Sequence, residues 1–251
     1  MTPVALITGG AVRVGRAISE VLAAAGYRVW IHHHASTQPA AELAATLGPA
    51  CLGAPRFDLA DEPARAALMA AVTDPTGPAG GRLDLLVNNA ATFERGDFKT
   101  RSDADLRRVL EVNLVAPLSL ARGLAPALTA TSGSIVNIVD VAGYQPWRGY
   151  LEHCTAKAGL AMATRALAGE LAPAVRVNGV APGTVAWPGD PRFAADSPVR
   201  AAILRAIPLQ RIGTPHDIAR TVLFLAHSPF ITGQTIAVDG GRTASSTPEV
   251  R

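Results

Sequence analysis

A chain of 251 residues that is 49% hydrophobic can bury a large core, and length alone permits one domain or two. Its formal net charge of +3 comes from scattered arginines, not from a basic run, which argues against nucleic-acid and membrane-surface partners and leaves small anionic ligands open. Two cysteines without CxxC spacing, an N-terminus lacking a signal-peptide pattern and the absence of a membrane-length apolar run point to a cytoplasmic, soluble protein with free thiols.

In chain order, short β-type runs alternate with alanine- and leucine-rich helical periods. VALIT (4–8) precedes a helix near 13–25, YRVWIHH (27–33) one near 37–47, and a strand near 50–57 one near 60–72. LDLLVNN (83–89) then leads into a long helix near 102–129, and GSIVNIVD (133–140) into a helix near 150–172. VRVNGVAP (175–182), a helix near 214–227 and QTIAVDG (234–240) complete the alternation. Strands that are apolar throughout are buried on both faces, so the pattern predicts an α/β fold: one doubly wound Rossmann-type domain, a seven-stranded, mostly parallel sheet with helices on both sides. The domain is expected over 1–241, with a tail at 242–251. Two segments escape the pattern. DPTGPAGGR (74–82) reads as a surface loop, and 183–207 as a long connection beyond a strand's C-terminal end, where such sheets bind ligands.

The first β-to-α turn, TGGAVRVG, suggests a phosphate site: Gly9 permits a tight turn, and Gly15 permits close backbone approach to a phosphate at a helix N-terminus. Arg13 stands where a middle glycine is usual, at a conformational cost, and puts a guanidinium beside the pyrophosphate. The second strand ends in IHHHAS, without the acid that binds a ribose 2′-hydroxyl, so His34 and Ser36 suit a 2′-phosphate. Only His32 and His34 share a strand face and no third ligand lies near in sequence, so no metal is expected.

Together the turn T8-G9-xxx-R13-x-G15, Asn88-Asn89-Ala90, Asn113, SIVNIVD ending in Asp140, Lys157, VNGVAPG (177–183) and ITGQTIAVDGG (231–241) resemble the short-chain dehydrogenases/reductases, over nearly the whole chain. Within that family the TGxxxRxG turn, Asp140 in place of a catalytic Ser, Phe93 shortly after NNA and QPWRGY with Tyr150 look like the pteridine reductases. Ala35 departs from their His-Arg-Ser pocket. The resemblance implies NADP(H) held by Gly9, Arg13, Val14, Gly15, His34, Ser36, Asp58, Leu59, Asn89, Ala90, Lys157, Pro182 and Gly183. It implies a heteroaromatic substrate held by Arg13, Phe93, Asp140, Tyr150 and His153, and a homotetramer built on the two long helices and the C-terminal region.

The family's catalytic Tyr stands thirteen residues after the Ser or Asp and four before the Lys, and both counts fall on His153. Residues four apart share a helix face, so His153 and Lys157 are expected to point together at the nicotinamide, with Asn113, Asp140 and Tyr150 completing the catalytic group. Reduction of a pterin C=N bond (dihydropterin or dihydrofolate type) tolerates loss of the Tyr better than carbonyl reduction, because the ring nitrogen is more basic than a carbonyl oxygen. The expected function is therefore NADPH-dependent reduction of a pterin or related cyclic imine, with proton relay through Asp140 and His153. The alternatives are a ketone or alcohol oxidoreductase using His153 as acid, and a silent dinucleotide-binding protein.

Overall fold

The computed structural model describes residues 1–187 and 189–244. Seven strands form one sheet in the order β3-β2-β1-β4-β5-β6-β7, every neighbouring pair parallel. They are β1 (Val4–Ile7), β2 (Arg28–Ile31), β3 (Cys51–Gly53), β4 (Leu85–Asn88), β5 (Ser134–Ile138), β6 (Arg176–Pro182) and β7 (Thr235–Val238). The helices are α1 (Arg13–Ala24), α2 (Thr37–Leu47), α3 (Glu62–Val72), α4 (Asp103–Leu110), α5 (Ala116–Ala130), α6 (Leu151–Leu171), α7 (Pro198–Arg205) and α8 (Pro215–Ala226).

Side chains alternate across the sheet, as a period of two requires. Ala5, Ile7, Val29, Ile31, Leu85, Val87, Val136 and Val180 pack under α1, α2 and α8. Val4, Leu6, Trp30, Leu86, Ile135 and Val177 pack under α3, α5 and α6. The chain runs outward from β1 to β3 and then restarts at β4 on the other side of β1. This reversal opens a crevice at the C-terminal ends of β1 and β4, where ligands bind in such sheets.

Three expectations change. The strand expected over 50–57 ends at Gly53, and pairing continues only as the bridge between His33 and Arg56. The helix expected over 102–129 is interrupted by a π-turn, Glu111–Val115, joining α4 to α5. Pro117 supplies a reason, because it has no N–H to give to the carbonyl of Asn113, four residues back. The 183–207 segment is not structureless: it holds a 3-10 turn (Pro191–Phe193) and α7, which Ser197 caps by accepting from Val199 N–H at 3.1 Å. Of the expected tail, 242–244 form a single 3-10 turn and 245–251 lie outside the described residues.

Candidate active site

A cleft of about 860 Å³ runs along the C-terminal edge of the sheet. Its cofactor half starts at the turn after β1, where Gly9 and Arg13 have φ of 60° and 50°. For Gly9 this is free; for Arg13 it costs about 1 kcal/mol. A Cβ on Gly15 would run into the carbonyl oxygen of Gly9, so only glycine lets α1 start this close to the strand. The turn is braced from below. Thr8 Oγ1 accepts from the N–H groups of Asn89 (2.9 Å) and Ala90 (3.0 Å), and Asn89 Nδ2 donates to the carbonyls of Thr8 (2.9 Å) and Gly9 (3.1 Å). Both amide hydrogens of Asn89 are thus spent on the turn, so this side chain shapes the site instead of offering donors to a ligand.

His32, which the sequence raised only to set aside as a metal ligand, is a second brace. Its Nδ1 accepts from Gly9 N–H at 3.2 Å, so its proton sits on Nε2 and is donated to the carbonyl of Phe57 at 3.0 Å. Burial lowers its pKa to about 4. Further out, His34 and Ser36 line the cleft with Ala35. Asp58 faces them, 3.8 Å from His34 Nε2 and 3.7 Å from Arg108 of α4, a cleft cation the sequence did not suggest. Leu59 is fixed by buried Arg65, which donates to its carbonyl at 2.7 Å and pairs with Glu111 of the π-turn at 2.7 Å. Val14, Ala90, Pro182 and Gly183 line the same cleft.

At its centre, His153 and Lys157 stand one turn apart on α6 and Asp140 lies just past β5. Lys157 Nζ donates to the carbonyl of Ile138 at 2.7 Å. Burial lowers its pKa to about 8, with Asp140 opposing the shift. Asp140 Oδ1 accepts from Ala142 N–H at 2.8 Å, and Oδ2 lies 3.4 Å from His153 Nε2.

Asn113 does not line the cleft; it sits behind His153 in the π-turn. Its Oδ1 accepts from Thr92 N–H at 2.8 Å and its Nδ2 donates to the Thr92 carbonyl at 2.9 Å, which fixes the amide's orientation. The second Nδ2 hydrogen then faces His153 Nδ1 at 3.3 Å, and the Thr92 carbonyl lies 3.3 Å from the same nitrogen, so an Nδ1 lone pair is met by Asn113 and an Nδ1–H by Thr92, while Nε2 faces Asp140. The ring is held against the Asp140 carboxylate and helps to orient it.

The substrate half is aromatic. Phe93 stacks on Tyr150, with ring centroids 4.6 Å apart and planes 15° apart, and meets His153 edge-on at 4.9 Å. Phe93 was expected to hold the substrate ring; one of its faces is instead covered by Tyr150. Tyr150 is not a helix-face residue but the N-cap position of α6. Trp187, Phe193, Val199 and Ile203 from the 183–207 segment close this end, with Arg200 stacked on Trp187 at 4.5 Å.

The cleft has the dimensions and the backbone clearance for a dinucleotide along Gly9, Arg13 and Gly15, with Lys157 and Asp140 at its inner end. Residues 10–243 match the family model described as enoyl-(acyl carrier protein) reductase. The chain is 35% identical over 247 residues to 3-oxoacyl-acyl-carrier-protein reductase of Synechocystis sp., covering 95% of this chain and 96% of that one. It is 35% identical over 280 residues to pteridine reductase 1 of Leishmania tarentolae, with coverage of 95% and 96%. The structure of an apo SCOR enzyme from Clostridium thermocellum superposes with a TM-score of 0.84 at 29% identity, over 98% of this chain and 95% of that one. Fold, turn, central residues and relatives agree: the chain belongs to the short-chain dehydrogenase/reductase family, oxidoreductases that use a nicotinamide dinucleotide.

Proposed function

We propose that this protein is an NADPH-dependent reductase of a planar C=N substrate of the pterin class, a dihydropterin or dihydrofolate. The observation that carries the reading is the Asp140 carboxyl at the inner end of the cleft, held between Ala142 N–H and the His153 ring. A carboxylate there attracts a protonated ring nitrogen and opposes the negative oxygen that develops when a carbonyl is reduced. A bound nicotinamide supplies the hydride to the ring carbon of the C=N bond. Asp140, with 22% of its side chain exposed, takes a proton from solvent and passes it to the ring nitrogen, and the carboxylate left behind pairs with the protonated C=N as the hydride arrives, while His153 keeps it aimed. Lys157 holds the nicotinamide ribose hydroxyls, and the exposed part of Phe93 with Arg13 borders the ring. NADP is favoured over NAD because the Arg108 guanidinium, with His34 and Ser36, lines the adenosine end of the cleft.

Residues 1–241 act as one reductase domain that assembles as a homotetramer in the cytoplasm. Exposed Leu106 and Val115, along α4 and the π-turn, and exposed Met162 on α6 suit the expected helix-to-helix interface. Among the described residues, no helix is long and apolar enough to cross a membrane. A second reading, ketone reduction, has one feature in its favour: Tyr150 lines the cleft and offers a phenol. Following NADPH oxidation with dihydrobiopterin and with a matched cyclic ketone tests the choice. Turnover of the pterin is expected, and turnover of the ketone alone overturns the reading.

A further inference from the structure

Beside the substrate end of the cleft lies a second cavity of about 770 Å³, and Arg148 forms part of the wall of both. Its rim is a backbone seam. Gly96 N–H donates to the Gly149 carbonyl at 2.9 Å, tying the loop after β4 to the loop before α6. Arg95 and Arg148 flank this seam, and Arg192 closes the cavity from the turn at 191–193.

The charges around it are unevenly committed. Arg192 is clamped by Asp190 through three contacts of 2.7–3.1 Å. Glu152, only 4% exposed, lies 3.6 Å from Arg101, which also binds Glu94 at 3.2 Å. Asp97 Oδ1 accepts from Lys99 N–H at 3.0 Å within its own turn. Arg95 and Arg148, by contrast, form no hydrogen bond or ion pair with any described residue, although Asp190 is near enough to feel the charge of Arg95. Two uncommitted guanidiniums therefore face a cavity whose carboxylates are engaged elsewhere. The same cavity is bordered by Phe98 and Leu151, 74% and 50% exposed, and large apolar groups left open beside cations suit an amphiphilic ligand.

We infer that this cavity is a subsite for an anionic tail carried by the substrate on an apolar spacer. The reacting ring lies at Asp140, the spacer passes Tyr150 and runs along Phe98 and Leu151, and Arg95 and Arg148 hold the terminal carboxylate or phosphate. Guanidinium suits either anion through paired N–H donors. The inference rests on the cleft accepting a ring substrate, and its direct-binding arm does not.

The first arm compares dihydrofolate, whose aryl-amide tail ends in carboxylates, with tail-less dihydrobiopterin in wild type and in the Arg95→Ala/Arg148→Ala variant. The kcat/KM preference for the tailed substrate is expected to fall about tenfold, chiefly through KM, and less at high salt, as for screened charge contacts. An equal change for both substrates, or none, overturns the inference. The second arm measures calorimetric binding of p-aminobenzoylglutamate and of 4′-phosphopantetheine. Binding of either probe that the double variant loses supports the subsite even if no pterin is reduced, and the tighter probe identifies carboxylate or phosphate. Binding of neither, or binding that survives in the variant, overturns it.

Discussion

The two halves of the cleft are made of different material. The cofactor half is backbone: a glycine turn pinned by Thr8, Asn89 and His32 against strand ends that the sheet already fixes. The substrate half is side chain: His153, Asp140, Phe93 and Tyr150 meet from two loops and one helix, and their geometry depends on Asn113 behind them. Backbone sites tolerate little change of shape, and side-chain sites tolerate little change of chemistry. Each half should therefore fail in its own way.

The largest effect is expected in the side-chain half. Asp140→Asn keeps the volume but removes the proposed proton carrier, so kcat should fall about 10²–10⁴-fold, with NADPH affinity unchanged by fluorescence titration. Retained turnover would move the proton to Tyr150. A pH scan probes the other half. His32 takes up its proton in the unfolded chain near pH 6.5 but in the folded chain only near 4, so its stabilising contribution is whole above pH 6.5. As pH falls through that window it is lost, by up to about 3 kcal/mol at pH 4. Urea midpoints of wild type and His32→Asn should converge between pH 7.5 and 4.5; parallel curves would sink this account.

Gly15→Ala tests shape alone. The added methyl meets the Gly9 carbonyl, and the expected cost is about 1–3 kcal/mol in stability together with loss of dinucleotide binding, read by thermal shift with and without NADPH. The smallest effect should come from Arg108→Ala. Removing this cation should reduce the preference for NADPH over NADH about fivefold, as losing one exposed charge contact does, and equal loss of both affinities would refute its role at the 2′-phosphate.

What the sequence made legible follows the same division. Continuous apolar runs forecast the buried parallel strands, and Gly9, Arg13 and Gly15 marked a turn whose residues stand within one short stretch of sequence. His32 was missed because its partners, Gly9 and Phe57, are remote in sequence and a lone histidine has no pattern. The π-turn had a readable signal, Pro117 four residues after Asn113, but a helical period runs through it unchanged. The helix α7 was hidden by the prolines and polar residues around it. Placement of His153 was legible from spacing to Asp140 and Lys157; its hydrogen-bond partners were not, because Asn113 and Thr92 lie 40 and 61 residues away.

The anchor of Asn113 has a mechanical side. Thr92 fixes the amide through its backbone, and the next residue on that loop is Phe93, which borders the substrate half. Any ligand that displaces Phe93 pulls on both groups that meet His153 Nδ1, the Asn113 amide and the Thr92 carbonyl. Seating of the ring and the hydrogen bonding of the histidine are therefore one coupled coordinate, and a shift of the loop is also a change in the site's chemistry.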